Sequence, residues 1–154
     1  MGVRLSEDEA WERIEAAHTG ILTTLRKDGR AVPLPLWFGV VDRAIYISTP
    51  EGSKKVKRIR NDNRATFLVE SGQAWIELSA VIMQGDLIEV TDEDEQKRVQ
   101  AVIDAKYRDY RIPIKKVPDA TRDHYTVQMA MFRFQPIEKP LTWDNARIQM
   151  RSPA

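Results

Sequence analysis

The sequence of 154 residues contains no cysteine. Without thiols the chain has neither a disulfide framework nor a thiolate metal site, and it is compatible with a reducing compartment. Long apolar runs are also absent, because no stretch reaches the roughly 18 uninterrupted apolar residues of a membrane helix. The opening MGVRLSEDEAWER lacks the apolar core of a signal peptide. We therefore expect a cytoplasmic protein that makes no membrane contact.

The sequence also lacks an excess of either charge, because its 24 basic residues nearly balance its 23 acidic residues and the net charge is +1. A nearly neutral chain is not a general binder of polyanions. The two histidines, His18 and His124, are far apart and have no carboxylate at ligand spacing, so no metal site is expected. No repeat or linker divides the sequence. We expect one domain over residues 1–154, with a first helix at about 7–17 and a loose tail at about 145–154.

What the sequence does contain is a series of short strand patterns. Asp28-Gly29 predicts a tight hairpin turn, and Gly85 predicts a bulge or bend within one long strand or two. Helical patterns with capping residues occur at 7–17, at 54–61 and over about fifteen residues after Thr91. Strands are predicted at 20–25, 31–41, 44–49, 64–70, 75–90 and 127–134. Antiparallel strands with helices between them predict an α+β fold, mainly antiparallel β: a barrel or rolled sheet of six strands with peripheral helices.

Two prolines restrict the second strand. Pro33 and Pro35 face the same way under period-two alternation, and neither can donate a hydrogen bond to a neighbouring strand. This strand is therefore expected to contain an unpaired stretch or to border a ligand.

The short helix predicted at 54–61 is unusually basic, with five cations between Lys54 and Arg60. A basic run is commonly a solvated helix face, but Lys54 and Lys55 fall in the first turn, where the helix dipole disfavours each cation by about 0.3–1 kcal/mol. The free N–H groups of this turn and the Ser53 hydroxyl are suited to a phosphate. Charge-assisted hydrogen bonds of about 1.5–3 kcal/mol each would outweigh the dipole penalty. The pattern favours an anion site.

Three segments together resemble the FMN-binding split-barrel superfamily, the pyridoxamine 5′-phosphate oxidase-like proteins. They are GILTTLRKDGRAVPLPLWFGV, IYISTPEGSKKVKRIRNDNRATFLVE and SAVIMQGDLIEV, with a weaker similarity at FRFQPIEKPLTWDNARI. The resemblance implies a six-stranded split β-barrel and a homodimer with cofactor sites at the subunit interface. It also implies that the cofactor phosphate is held by Thr49, Ser53, Lys54 and Lys55, and that the ring system lies along Leu34, Pro35, Leu36 and Trp37 and near Ser79 and Ala80.

The chain departs from true pyridoxamine phosphate oxidases in two ways. The second strand has no cation where those enzymes carry Arg and Lys, and their C-terminal Arg-His-Arg motif is missing, so oxidation of vitamin B6 is not expected. The chain is more similar to the branch that uses the deazaflavin coenzyme F-420, through LWF at 36–38, Glu70-Ser71-Gly72 and Trp143-Asp144. This makes coenzyme F-420 the preferred cofactor and FMN the second, with Trp143 among the binding residues. The cations suited to the polyglutamate tail of coenzyme F-420 are Lys57, Arg58, Arg60, Arg26 and Lys27.

The resemblance implies hydride transfer between this cofactor and a small unsaturated or quinone-like substrate, and the sequence nominates no catalytic side chain. Trp37, Phe38 and Trp75 are either a substrate wall or ordinary core. The Pro-containing, basic segment 107–123 is interpreted as a loop or lid, and its closure would allow Tyr107, Tyr110 or Tyr125 to donate a proton to the substrate.

Two other functions remain open. One is a non-enzymatic protein that binds flavin or haem, because a fold alone does not fix a function. The other is a barrel that binds nucleic acid through the basic helix, but no aromatic residue is interleaved with the cations between Lys54 and Arg64. We therefore expect a small-molecule ligand and no nucleic acid.

Overall fold

The computed structural model describes residues 3–113, 116–121 and 128–148. The first helix, α1 (Glu7–Ala16), begins where the Ser6 Oγ accepts a hydrogen bond from the Glu9 N–H at 3.2 Å. Three acidic residues occupy its first turn and favour the positive end of the helix dipole. The helix ends one residue before the predicted boundary because Ala17 is its C-cap, in an extended conformation.

Within the described residues, eight strands form one antiparallel sheet in the order β2-β1-β5-β6-β7-β4-β3, with β8 also paired to β6. The strands are β1 (Gly20–Leu25), β2 (Ala31–Leu36), β3 (Gly39–Val41), β4 (Ala44–Pro50), β5 (Arg64–Ser71), β6 (Ser79–Glu89), β7 (Met129–Pro136) and β8 (Leu141–Asp144). Two further α-helices are α2 (Lys54–Asn61) and α3 (Glu93–Tyr107).

The sheet must roll up because its two edge strands are neighbours in sequence. β2 and β3 lie at opposite ends of the strand order, yet only Trp37 and Phe38 connect them. Among the described strands β2 and β3 are not paired with each other, so the barrel is split along this line. The predicted fold class, an α+β split barrel with peripheral helices, is confirmed. The strand count rises from six to eight because the long second strand divides at Trp37 and because the short β8 is added.

Two apolar clusters hold the elements together. The larger fills the barrel around Phe38, Phe67 and Phe132. It also takes in Val56 and Ile59, which share one face of α2 as their spacing of three residues predicts. The smaller cluster lies between α3 and the sheet and contains Tyr46, Val90, Val99, Ile103, Tyr107 and Met131.

The structure corrects two predictions for segment 75–90: a strand that begins at Trp75, and a bulge as the first alternative at Gly85. Trp75–Glu77 forms a 3-10 helix instead of a strand, because the Glu77 carboxylate accepts hydrogen bonds from the backbone N–H groups of Gln73 and Ala74. Gly85 is not a bulge, since it stays in register with Ala65 of β5. A Cβ at Gly85 would lie 2.3 Å from the Gln135 carbonyl oxygen, so close backbone approach requires the glycine.

The segment expected to be a loose tail begins as an ordered element. Asn145–Arg147 form a 3-10 helix, and the Asn145 side chain is buried and donates a hydrogen bond to the Trp75 carbonyl oxygen at 2.6 Å. Residues 149–154 lie outside the described residues. In the part of the chain that the structure describes, no helix is long and apolar enough to span a membrane.

Candidate functional site

The start of α2 differs from the starts of α1 and α3. α1 and α3 each carry three acidic residues in the first turn, whereas the first turn of α2 carries none. The Ser53 Oγ caps α2 by accepting a hydrogen bond from the Val56 N–H at 3.3 Å. The Ser53 hydroxyl keeps its own proton for donation to a ligand. The positive end of this helix dipole is therefore not offset by an acid in its own first turn.

A groove of 400 Å³ opens beside this helix and is basic. Two elements meet at the groove. One is α2, and the other is the β1–β2 hairpin turn that the Asp28-Gly29 pair predicted. The lining residues are Arg26, Lys27, Val32, Lys54, Lys57 and Arg58. Five of these six are cations, and among the residues that the structure describes only one of the five, Arg26, has an acidic partner, Asp28 at 3.7 Å. The groove therefore presents a positive surface to a ligand with several negative charges.

Arg58 is the most firmly held of the groove cations. Its Nε donates a hydrogen bond at 3.0 Å to the Oγ1 of Thr24, which is buried in β1. This contact joins α2 to the sheet and fixes one side of the guanidinium. The Nη groups are left to donate to a ligand.

Arg60 and Lys55 do not line the groove. Arg60 is paired with Glu51 and Glu89, each at 2.5 Å, and these hydrogen bonds raise the pKa of Arg60 and lower that of Glu51. Lys55 is half-buried, and burial, followed by the charge of Arg58, lowers the pKa of its ammonium. The expectation that Arg60 contributes to an anion site is therefore corrected: its charge is already neutralised.

Strand β2 runs from this groove along one edge of the sheet. Val32 lines the groove, and the strand continues to Leu36, a path of about 13 Å at the usual rise per residue. Pro33 and Pro35 are exposed, whereas Leu34 and Leu36 are half-buried. All six residues of β2 are in register with β1, so the predicted unpaired stretch within the strand is absent; the missing N–H donors of both prolines are tolerated because β2 is an edge strand. Thr49 is buried at the end of β4, just before α2.

Trp37, at the end of β2, is stacked on another aromatic side chain. Its ring lies 4.3 Å from the Tyr107 ring at an angle of 5°. Phe38 is fully buried core, whereas Trp75 is 62% exposed. Of the three aromatics considered for a substrate wall, Phe38 is core, Trp37 is half-buried against Tyr107, and Trp75 lies on the surface.

The hypothesis that Tyr107 donates a proton from a lid was wrong. Tyr107 is the last residue of α3 and is fully buried. Its hydroxyl donates to the His18 carbonyl oxygen at 2.7 Å and accepts from the Phe38 N–H at 3.0 Å, so it is fully occupied by backbone. Tyr110 is 60% exposed, in a 3-10 helix over Arg108–Tyr110. Tyr125 and His124 lie outside the described residues.

The remaining predicted residues lie at the other end of the barrel. Ser79 and Ala80 begin β6, and Trp143 pairs with Ala80 across β8. In the register of the sheet, Ser79 and Ala80 lie beyond the end of β1 at Gly20. The groove lies at the opposite end of β1, at Leu25. Within one chain the two groups are therefore about 20 Å apart along the strand direction. The structure does not bring them into one site within a single chain.

Sequence reasoning missed the side chain that holds Ser79. Arg13 donates from Nη1 to the Ser79 Oγ at 2.7 Å and from Nη2 to the Asp144 Oδ2 at 3.0 Å. Ser79 is consequently turned towards α1, whereas Ala80 faces the outer side of the sheet with Trp143. In the sequence, Arg13 is visible only as a basic residue in the last turn of a helix. A cation there is already explained by its interaction with the helix dipole, so it did not indicate a contact with Ser79.

No group of three or more metal-ligating side chains occurs within the described ranges 3–113, 116–121 and 128–148. The charged side chains in the first turn of α2 are instead cations. The family model described as pyridoxamine 5′-phosphate oxidase matches residues 6–138, most of the chain. The chain belongs to the pyridoxamine 5′-phosphate oxidase family. The resemblance to the FMN-binding split-barrel superfamily is thereby confirmed.

Solved structures share the fold of this pyridoxamine 5′-phosphate oxidase family member. A conserved hypothetical protein of Mycobacterium tuberculosis superposes with a TM-score of 0.80 over 99% of this chain and 94% of its own, at 23% identity. The FAD binding protein of Mycobacterium smegmatis gives 0.65 over 91% and 97%, at 21% identity. A heme binding protein of the same organism gives 0.66 over 93% and 60%, at 14% identity. None of the curated proteins matches the sequence.

Proposed function

We propose that the protein is a homodimeric oxidoreductase that holds coenzyme F-420, or in second place FMN, in the basic groove. Hydride transfer would take place between this cofactor and a small unsaturated or quinone-like organic substrate. The observation that carries the proposal is the groove of five cations beside a helix start that has no acid in its first turn.

The residues present fit a phosphorylated ring compound. Ser53, Lys54 and the first N–H groups of α2 are suited to the phosphate, because a helix start offers donors and a partial positive charge. The exposed edge of β2 leads away from the groove for about 13 Å, enough to accompany a tricyclic ring system. When bound, the cofactor would supply the hydride chemistry, and the chain would supply position, charge and exclusion of water.

The preference for coenzyme F-420 follows from the surplus of positive charge. One phosphate is satisfied by two or three donors, yet Lys57, Arg58, Arg26 and Lys27 line the groove beyond Lys54. A polyglutamate tail would use these additional cations, whereas FMN has no corresponding group. The expected discriminator is ionic strength, because an extended anion loses more affinity with added salt than a single phosphate does.

The homodimer is supported by an apolar row on the outer side of the sheet. Cross-strand partners on one face of a sheet lie side by side, so the register sets five outward-facing apolar side chains next to one another. They are Pro35, Ile21, Leu68, Ile82 and Leu141. Leu141 and the neighbouring Trp143 are each 51% exposed. Patches of this kind usually mark an interface.

A second copy would also explain why the predicted site is divided. Ala80 and Trp143 lie about 20 Å from the groove of their own chain, but they flank the outer apolar row on which a partner would pack. A site shared between two copies would unite the groove of one with Trp143 of the other. Leu141→Glu is expected to give a monomer in sedimentation experiments and to weaken coenzyme binding at the same time.

A direct test combines coenzyme titration with turnover. Binding of coenzyme F-420 and of FMN would be measured by calorimetry at two salt concentrations, and turnover would be followed with reduced coenzyme and a quinone acceptor. The proposal expects tighter binding of coenzyme F-420, a steeper salt dependence for it, and oxidation of the reduced form. Failure to bind either coenzyme would contradict it.

A non-enzymatic flavin carrier is the second candidate, supported by the similarity to an FAD binding protein. The observation in its favour is that the described residues lining the groove are cations and one valine, without a carboxylate, histidine or tyrosine to exchange protons. Tight binding without turnover would select this candidate. A haem protein is less well supported, because His18, the one histidine among the described residues, packs against Tyr110 with ring centroids 4.4 Å apart.

A further inference from the structure

A small cleft lies between the last turn of α1 and strands β5 and β6. Its volume is 150 Å³, and its lining includes Arg13, Ala16, Ala17, Val69, Ser79 and Val81. A cavity of about this volume with apolar walls is large enough to hold one benzene-sized ring. The cleft therefore has the dimensions of a site for a single small ring.

The space exists because the side chains of α1 become smaller towards the end of the helix. Trp11 and Ile14 are buried and close the end of the barrel with large side chains. The last turn and the C-cap carry Ala16 and Ala17 instead, which leave the space above the strands unfilled. The cleft is open to solvent, so it is a recess at the edge of the close-packed core and not a void inside it.

One wall of the cleft carries oriented hydrogen-bond donors. The Arg13 guanidinium is held by the Ser79 Oγ at 2.7 Å and by the Asp144 Oδ2 at 3.0 Å. A guanidinium has five N–H donors, so these two contacts leave others for a ligand oxygen. Because the Ser79 Oγ accepts from Arg13, its own proton is left for donation as well. Ser79 is 7% exposed and Asp144 5% exposed, so the wall is built into the fold.

The charges around the cleft favour a neutral ligand. Asp144 neutralises Arg13 and also pairs with Arg147 at 3.5 Å, while Arg147 is bonded to Glu9. Glu70 also lines the cleft and opposes a ligand anion. Arg13 in turn opposes a ligand cation. A neutral ring with one oxygen acceptor satisfies the donors without placing a charge in an apolar cleft.

The cleft is separate from the basic groove within one chain. The two lie at opposite ends of β1, about 20 Å apart along the strands. On β6, Ser79 and Val81 point inward, whereas Ala80, which also lines the cleft, points outward beside Trp143. Strand β1 lies between β2, along which the coenzyme ring is proposed to lie, and the strands β5 and β6 of the cleft, so within one chain a ligand in the cleft would not occupy the β2 edge.

We propose that this cleft binds a neutral, planar, single-ring compound whose carbonyl or phenolic oxygen accepts hydrogen bonds from Arg13 and Ser79. The site lies beyond the proposed coenzyme function and does not depend on it.

The test uses phenol as the neutral probe, with benzoate and benzylammonium as charged probes of similar size. Binding would be followed at pH 7 through the backbone amide NMR signals of Ala17, Val69 and Val81. Ala16→Leu fills the cleft from an exposed position of α1, so folding is preserved. Ala101→Leu, at an exposed position of α3, is the matched control.

The proposal expects saturable binding of phenol and no saturable binding of either charged probe. Phenol should bind at least about tenfold more weakly to Ala16→Leu, because a filled cleft excludes the ring. The Ala101→Leu control should bind phenol like the parent. Phenol affinity should be unchanged by saturating coenzyme. Absence of saturable binding, equal binding of benzoate, or no effect of Ala16→Leu would overturn it. Displacement of phenol by coenzyme would also overturn it, because the cleft would then belong to the coenzyme site. If neither coenzyme binds while phenol behaves as expected, only the proposed function fails.

Discussion

The aromatic ring of Trp37 lies parallel to that of Tyr107, with the ring centroids 4.3 Å apart. The Tyr107 hydroxyl bonds to the backbone of Phe38, the residue after Trp37, and to that of His18, just before β1. One side chain from α3 therefore fixes the two-residue connection between β2 and β3. Because these are the two edge strands, the contact determines how the barrel is closed.

Tyr107→Phe keeps the stacked ring and removes only the hydroxyl. The Phe38 N–H and the His18 carbonyl oxygen then lose a partner in a buried place, which should lower the free energy of unfolding by about 1–3 kcal/mol. Urea unfolding measures the change. The control is Tyr110→Phe, at a side chain that is 60% exposed, where a change within about 0.5 kcal/mol is expected. Equal effects of the two substitutions would show that the hydroxyl contacts do not stabilise the closure.

Lys106 should make stability depend on pH in the alkaline range. Its Nζ lies 3.7 Å from the centroid of the Phe38 ring, and burial lowers the pKa of its ammonium to about 8 from 10.5. Between these values the unfolded chain keeps the proton that the folded chain has lost, so the free energy of unfolding should rise with pH. Lys106→Met should remove this rise. The measurement is urea unfolding from pH 7.5 to 10.5, and a parallel pH profile for both proteins would contradict the prediction.

Arg60 and Lys57 should differ in their effect on coenzyme binding although both are exposed cations of α2. Arg60 is already paired with Glu51 and Glu89, whereas Lys57 lines the groove. Arg60→Ala should therefore change affinity for coenzyme F-420 by less than about twofold and stability by about 0–1 kcal/mol. Lys57→Ala should weaken binding about tenfold, the equivalent of one charge-assisted hydrogen bond. If Arg60→Ala weakens binding as strongly as Lys57→Ala, the assignment of groove cations is wrong.

Gly85 and Gly52 provide a matched pair for the packing of the sheet. A Cβ at Gly85 would lie 2.3 Å from the Gln135 carbonyl oxygen, whereas a Cβ at Gly52 has no atom within 4 Å. Gly85→Ala should lower the free energy of unfolding by about 1–3 kcal/mol, the usual effect of overpacking. Gly52→Ala should be neutral or stabilising by up to about 1 kcal/mol. Thermal unfolding compares them, and a tolerated Gly85→Ala would mean that β6 and β7 can separate without loss.

The fold was largely predictable because local signals agree with the global arrangement. The cap at Ser6, the Asp28-Gly29 turn and the strand alternation each indicated the element that the structure contains. Trp75–Glu77 was misjudged because an apolar run of this length does not distinguish a strand from a 3-10 turn. In that turn the Glu77 carboxylate bonds to nearby backbone, a contact that hydrophobic periodicity does not register.

The candidate site was predictable only in part. The unusual charge at the start of α2 was visible in sequence, since two lysines stand where acids are favoured. Which cations face the groove was not, because the pairing of Arg60 with Glu89 joins residues 29 positions apart. The hydrogen bonds of the Tyr107 hydroxyl were also not predictable from local sequence, because its partners His18 and Phe38 are distant along the chain.

The central claim is that the cations around the start of α2 bind a phosphorylated coenzyme. The most direct measurement is a fluorescence titration of the Lys54→Ala/Lys57→Ala double variant with coenzyme F-420 and with FMN. Lys97→Ala/Arg98→Ala, which removes two exposed cations from α3, is the control for net charge. The account predicts that the first variant loses about 100-fold or more in affinity, from two charge-assisted hydrogen bonds, while the second binds like the parent. Unchanged affinity in the Lys54→Ala/Lys57→Ala variant would contradict it.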